Sequence, residues 1–395
     1  MSPGGATPKD ARGGAGEALH DTGSALRAAR LQRALSQQQL AELAGVSRQA
    51  VAALERGRSE PSLRVAFVIA DALATSVEEL FGAGRETPER EAEPLAPLGE
   101  AGARAVVAPV AGRLVAAPLG GHAGVRTGFV AASALVSGAR AVRPLTAIRP
   151  TLVVAGCDPA LSLLETPLAH LDPPVALAWH SCGSGDALDL AVRGLVHAAG
   201  IHVRDAAGRY NVTAARRRLG GAGATALGFA SWRQGIVLRA DLAGRVAHLG
   251  DVARLGLRVV NREPGAEARA LLERACGDAG VDLADLPGAA SEVHGHLEVA
   301  AAIGSGLADA GVASEPAALA FGLGFVPLTE ERFDLVVGPG LADCPEVHAL
   351  RRVLASPWLR GQLAAIPGYD VGPLGEETTL EAAGGRAARA RPPRA

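Results

Sequence analysis

Apolar positions recur at helical spacing along residues 24–82 and gather into short β-type runs from about residue 105 onward. In the first stretch, Ser36 is placed to cap a helix over Gln37–Ala44, whose apolar positions Leu40, Leu43 and Ala44 share one face. Gly45 supplies the left-handed residue that ends it. Ser47 then caps a second helix, with Val51 and Leu54 turned inward and Arg48, Gln49, Ala52 and Ala53 turned out. A helix from about Ala25 to Leu35 precedes this pair. After the break at Glu60-Pro61-Ser62, Ser62 caps a helix through Ala74, and Ser76 caps a last one, Val77–Phe81.

Residues 1–23, rich in Gly, Ala, Ser and Pro without periodicity, are expected to be disordered. Residues 83–104 are charged, Pro-broken and poor in apolar positions, which predicts a linker. "RAVVAPV", "RLVAAPL" and "ARAVRPL" predict a small β segment over 105–149, with Ala111-Gly112-Arg113 as a hairpin turn. From 150 to 375 strands alternate with helices: "TLVVAG" (151–156), "VALAWH" (175–180), a long helix from Asp186 to Ala199, "TALGFA", "IVLRA", "LRVVN", a helix Gly265–Ala279, a helix Leu297–Gly304 and "FDLVVG" (333–338). Such alternation predicts an α/β fold that binds ligands at the carboxyl ends of its strands. The tail, 376–395, is expected to be disordered; its arginines could add attraction to DNA or simply be solvated.

Composition changes this picture little. The 395 residues leave room for two or three domains, and a formal net charge of -2 excludes a protein that coats nucleic acid indiscriminately. Lys9 is the single lysine, so 38 of the 39 basic residues are Arg, a bias that runs through the whole chain alongside Ala and Gly. The four cysteines, 157, 182, 276 and 344, form no CxxC, which fits free thiols in a reducing cytoplasm. There is no N-terminal apolar h-region and no uninterrupted apolar run of membrane-spanning length, so neither secretion nor membrane insertion is expected.

Charge matters more locally. Residues 24–82 hold seven Arg against six Asp or Glu, a balance of +1, so one copy would bind DNA weakly and a two-fold pair on adjacent half-sites is expected. Arg and Gln early on an exposed helix, as at 48 and 49, are the side chains that pair bidentately with guanine and adenine edges. Arg27, Arg30 and Arg33 form a row suited either to phosphates or to solvent. The helix pattern, with "ERGRSEPSL" and "SVEELF", resembles the helix-turn-helix of the phage-repressor (Xre/Cro) family. The resemblance implies phosphate contacts at Gln37, Gln38 and Arg58, and a base-facing surface of Ser47, Arg48, Gln49 and Ala53.

Three strand-to-helix loops in the larger region are candidates for a ligand. Ser181-Cys182-Gly183-Ser184-Gly185 offers two hydroxyls and backbone N–H groups where a helix dipole favours an anion. Asn261-Arg262-Glu263-Pro264-Gly265 brings a guanidinium to another helix start, with Arg269 one turn further. Cys157-Asp158-Pro159 is the third, although Asp158 repels an anion unless it orients a neighbour or meets a hydroxyl. The blocks "VAGCDPALSLL", "SCGSGDAL", "WRQGIVL", "RVVNREPGAEARALL", "GHLEVAAAIGSGLADAGVA" and "FGLGFVPLTEERFDLVV" resemble the cytoplasmic periplasmic-binding-protein-like domain found behind helix-turn-helix heads and attached to molybdopterin-biosynthesis proteins. The resemblance implies two α/β lobes, 150–223 with 329–375 and 224–328, closing on a ligand such as molybdate, tungstate or a molybdenum-cofactor-related molecule. It also implies that Arg233, in a block facing the cleft, takes part; Trp232 beside it suits core or cleft equally.

The expected architecture is therefore multidomain: an all-α five-helix DNA-binding domain, a small β lead-in and a two-lobed α/β ligand domain. Gly183-Ser184-Gly185 lacks the third glycine of a dinucleotide fingerprint, since Leu188 stands there. His197 with His202, and His294 with His296, lack the spacing of a metal site, so structural roles are expected and neither metal nor cofactor, although His294 and His296 could line the cleft as donors. Cys182 at a helix start could be a low-pKa, redox-sensing thiol. A nucleophilic role for Ser181 or Cys182 would need a base that the sequence does not name. A cytoplasmic one-component transcriptional regulator, acting as a homodimer on operator DNA and not as an enzyme, is the expectation. An enzyme or cofactor-handling protein of molybdopterin metabolism is the alternative.

Overall fold

The computed structural model describes residues 23–81, 87–121, 130–205, 207–219 and 223–380. It divides into two units, with the boundary between Pro88 and Glu89. The first unit is helical: α1 (residues 23–32), α2 (Gln37–Ala44), α3 (Arg48–Glu55), α4 (Leu63–Ala72) and α5 (Val77–Phe81). The Ser36 hydroxyl accepts from the Gln39 N–H while the Gln39 side chain accepts from the Ser36 N–H, a reciprocal cap that fixes where α2 begins. Gly45 ends it at φ 63, and Ser47 and Ser62 cap α3 and α4. Leu26, Leu40, Val51, Leu54, Ile69, Leu73 and Leu80 close the core.

Two expectations here need correction. Leu43 does not share the inward face of α2; it is 63% exposed, because the core is reached by Leu40, Ala41 and Ala44. Arg30 does not stand in a solvent-facing row. It is buried, and its guanidinium bonds both carboxylate oxygens of Glu55 and the Leu35 carbonyl.

The second unit opens with a six-stranded sheet: β1 (Arg90–Glu91), β2 (Glu93–Pro94), β3 (Arg104–Val110), β4 (Arg113–Pro118), β5 (Ala134–Gly138) and β6 (Ala141–Pro144), in the order β1-β6-β5-β3-β4-β2. The expected hairpin is present, with Ala111 and Gly112 both at positive φ. The linker expected over 83–104 is not one across its described part. Its strands are two-residue edge pieces, exposed or half-buried and thus linker-like in composition, but Ala92, Leu95 and Leu98 are buried.

The larger sheet follows the path β12-β11-β13-β10-β14-β9-β7-β8. Parallel strands β7 (Thr151–Ala155), β8 (Ala176–His180) and β9 (Ala198–Ile201) lie towards one end. Parallel β11 (Val259–Arg262), β12 (Glu292–Val293) and β13 (Ala310–Ser314) lie towards the other. Joining them is a long antiparallel pair, β10 (Ala224–Leu238) and β14 (Gly324–Val337). One end of this pair packs into a core with Leu152, Val154, Leu188 and Leu350; the other packs with Leu249, Leu272, Val299 and Ile303.

The helix expected over 186–199 is shorter. It runs Ser184–Val192, ends at Gly194 with φ 63, and the fully buried run at 198–201 is β9. In the tail expected to be disordered, Glu377–Leu380 forms a short strand paired with β10; residues 381–395, like 1–22, lie outside the described residues.

Phe333 shows how tightly the larger core is set. A β-carbon at Gly200 on β9 would lie 2.3 Å from the tip of its buried ring. Gly200→Ala is therefore expected to destabilise the protein by about 2 kcal/mol in denaturant unfolding, with Phe333→Leu in the same chain recovering part of the loss.

Candidate functional site

In the helical unit, α3 presents its first residues outward because Ser47 holds its start and Val51 and Leu54 anchor its other side. Arg48, Gln49 and Arg58 are exposed, and Ala53 is half-buried. Gln38 is exposed and bonds Glu42, whereas the Gln37 amide donates to Glu55 at 2.7 Å and belongs to the Arg30–Glu55 ion pair. Burial pushes the Glu55 carboxyl up, but the bonds from Arg30 and Gln37 outweigh this and hold it below the ordinary range. That pair ties α1 to the end of α3, so it sets the attitude of the exposed face.

In the larger unit the loops that follow the parallel strands converge where the two cores meet, at the middle of β10 and β14. Cys157 and Asp158 follow β7, Ser181–Gly185 follows β8 and His202 follows β9. From the other side come Asn261 and Arg262 at the end of β11, and His296 at the start of the helix His296–Gly304. The loops touch: a β-carbon at Gly183 would stand 3.5 Å from the Gly265 carbonyl oxygen.

The side chains gathered here are polar and buried. Asp158 accepts from the Tyr369 hydroxyl at 2.5 Å and from the Ala160 N–H, and burial pushes its carboxyl up to about 6 against those bonds. Ser184 is buried, its hydroxyl accepting from the His202 N–H. His202 lies 3.4 Å from Glu331; burial disfavours its charged form, but the Cys157 sulfur and Glu331 outweigh that and raise its pKa. Arg262 is neutralised by a bidentate bond to Glu263. Asp158 Oδ2, Trp232 Nε1, both amide atoms of Gln234 and Asn261 Nδ2 are buried without a hydrogen-bond partner. Such atoms cost roughly 1–3 kcal/mol each when left unpaired, so a cluster of them marks a place built for something else to bind.

Several expected residues stand elsewhere or act differently. Arg233 is out of the cluster: alternation along β10 turns Trp232 and Gln234 inward and leaves Arg233 exposed, paired with Glu315. Arg269 is held by Glu273, Glu292 and the Arg262 carbonyl. Gly265 is exposed at φ 84 and Ser181 is half-buried. His294 is half-buried, its N–H donating to Glu298. Cys182 is not a low-pKa thiol: burial, then Asp186, Cys157 and Glu263, push it up. Sequence reasoning gave no ligand role to His202, Glu331 and Tyr369, and it named the segments that hold Gln234 and Asn261 without singling those two out. Position at the end of a buried strand was the available signal for His202 and Asn261. For Cys157, His202 and His296, spacing in the chain gave none, because they come from three separate loops.

Residues 26–80 match the helix-turn-helix family model and residues 166–355 match that of the PBP superfamily domain. The uncharacterized protein YvgK of Bacillus subtilis (strain 168) is 27% identical over 223 residues, 56% of this chain and 71% of that protein. The uncharacterized HTH-type transcriptional regulator MJ0272 of Methanocaldococcus jannaschii is 45% identical over 47 residues, 12% of this chain and 71% of that protein. Among solved structures, the restriction-modification controller protein C.AhdI of Aeromonas hydrophila is 40% identical, covering 16% of this chain and 96% of its own, with a TM-score of 0.16.

Gln234→Met keeps the side chain's length and removes both unpaired atoms. It is expected to raise the stability of the ligand-free protein by about 1 kcal/mol, read as a higher denaturant midpoint at unchanged slope. An unchanged or lower midpoint would mean that Gln234 is already satisfied.

Proposed function

The chain belongs to the helix-turn-helix transcriptional regulators and carries a PBP-like domain behind its DNA-binding head, and from that premise we propose a one-component regulator that reads operator DNA as a homodimer and senses a small oxygen-rich ligand between two lobes. The observation that carries the ligand half is the cluster of unpaired polar atoms where the two cores meet. Trp232 Nε1, Asn261 Nδ2 and the Gln234 amide nitrogen donate; Asp158 Oδ2 and the Gln234 carbonyl accept. A ligand that satisfies them brings several oxygens and at least one hydroxyl or amine. A molybdate-type oxyanion or a molybdenum-cofactor-related molecule is the first candidate, held by the donors and meeting Asp158 through a proton.

In this reading β10 and β14 are the crossovers, and closure changes how two heads are spaced on DNA. Ligand can drive that change only by binding the closed form more tightly than the open one. Arg48 and Gln49 read bases, while Ser47 and Ala53 let α3 approach the groove, and Gln38 and Arg58 meet phosphates. Gln37 supports the head through Glu55.

Two measurements check the two halves. Isothermal titration of the full chain with molybdate, tungstate, sulfate and phosphate is expected to give saturable heat with at least one, weakened tenfold or more by Asn261→Leu; heat with none of them, beside binding of a neutral metabolite, removes the oxyanion. With a duplex selected by the protein from a random pool, Arg48→Ala and Gln49→Ala should each weaken binding roughly 5- to 100-fold and relax selection at one base position. Unchanged affinity and selection would show that α3 does not read bases.

A further inference from the structure

Asp158 follows β7, and both bonds that it makes fall on one oxygen. Its Oδ1 accepts from the Ala160 N–H at 2.9 Å, which caps the turn Pro159–Leu164, and from the Tyr369 hydroxyl at 2.5 Å. Oδ2 is buried without a hydrogen-bond partner, in a residue that is 1% exposed. Capping therefore accounts for one oxygen of the carboxylate and leaves the other over. The charges around it do not neutralise Oδ2. Tyr369 reaches Asp158 from the short strand Tyr369–Asp370 paired with β10, and Cys157 precedes it in its own loop. His202, after β9, is the cation that favours the ionised carboxyl, but it is paired with Glu331 on β14. Arg262, which faces His296, is taken in the same way by Glu263. Glu267, half-buried and within electrostatic reach of His202, adds a further carboxyl.

An oxyanion held by the unpaired donors Trp232 Nε1 and Asn261 Nδ2 brings its own negative oxygens up to Oδ2. Two ionised oxygens cannot share a hydrogen bond, and out of water their repulsion is large. One proton between them turns the same contact into a short, charge-assisted bond. We propose that Asp158 Oδ2 touches the ligand and admits a tetrahedral oxyanion only with a proton between the two. The site then prefers anions of the phosphate class, which keep a proton at neutral pH, to sulfate, molybdate and tungstate, which do not. The inference rests on the oxyanion reading above and ranks the anions within it.

The proton has two sources. A phosphate-class anion carries it in on one of its oxygens, and Asp158 stays ionised. A fully ionised anion binds only once Asp158 has taken a proton from solvent. Burial pushes that carboxyl up to about 6, against the bonds from Tyr369 and Ala160 and the charge of His202. Above that pH the ligand-free carboxyl is ionised, so binding of sulfate or molybdate takes up one proton and weakens tenfold per unit of rise. Below it the proton is already in place and the penalty disappears. Gln234 Oε1, also unpaired, can accept another ligand proton but is uncharged, so it does not set this preference.

The test is isothermal titration of the full chain with phosphate, sulfate and molybdate at about pH 8, in two buffers of different ionisation heat. Phosphate should bind roughly 100-fold more tightly than sulfate, and sulfate and molybdate should each take up about one proton more per anion than phosphate does. Asp158→Asn keeps an oxygen for Tyr369 and Ala160 and turns an amide towards the ligand. It should strengthen sulfate, weaken phosphate and remove the difference in proton uptake; Glu267 is intact in this variant, so the loss assigns the proton to Asp158. Circular dichroism and thermal melting establish that each variant is folded. Tyr369→Phe is the second variant: without the hydroxyl Asp158 holds its proton to higher pH, so sulfate should bind about tenfold more tightly at pH 8. Equal affinity and equal proton uptake for phosphate and sulfate on the wild-type chain overturn the proposal and leave the oxyanion reading standing. A phosphate preference that survives Asp158→Asn in a folded chain, or unchanged sulfate affinity in folded Tyr369→Phe, overturns it too. Heat from none of the anions removes the oxyanion reading itself, and this inference with it.

Discussion

The pairing of β10 with β14 governs the larger unit. These strands stay in antiparallel register from one core into the other, with shifts at Gly228/Ala230 and at Gln234/Gly235. The second shift falls where the cores change over, and there Gly235 has no room for a side chain: a β-carbon would lie 2.1 Å from the Val326 carbonyl oxygen. Alternation along β10 then places Trp232 and Gln234 inward together. Trp232 stacks among Phe333, Tyr369 and His202, at ring separations of 5.5 to 5.9 Å. Trp232 and Gln234 are thus built onto the ladder itself and not onto a loop that could relax away from the cluster. Leaving those atoms unpaired costs stability, a cost that the proposed ligand would offset on binding.

The head rests on a smaller device of the same kind. Arg30 and Glu55 are held out of water and satisfied by each other, by Gln37 and by the Leu35 carbonyl. Removing one partner would strand the other charge, at a cost of about 3 kcal/mol. Both units therefore bury charge, but the head pairs it fully and the ligand domain does not.

Much of this was legible in the chain. Serine caps and Gly45 marked the helices of the head, because capping is local chemistry written in adjacent residues. The apolar runs at 151–156 and 175–180 marked buried strands for the same reason. What was not legible depended on partners distant in sequence. Arg30 looked like one of a row of solvated arginines, and only the approach of Glu55, twenty-five residues on, turns it inward. The strand at 198–201 reads as the end of a helix until Gly194 breaks it. Among candidate site residues, Asp158, Ser184, Arg262 and His296 do converge, but Arg233 stands on the outer face of β10, which its block of sequence does not reveal. His202 and Glu331 are 129 residues apart, a separation that no motif spans.

The central claim is that the unpaired groups between the two cores receive a small ligand. Native mass spectrometry of the full chain, after incubation with a small-molecule extract of the cells that make it, tests this directly. The account predicts one discrete added mass on the wild-type chain and its loss when Gln234 and Asn261 are both replaced by apolar residues. A bare mass on the wild-type chain, or the same adduct on both proteins, would contradict it.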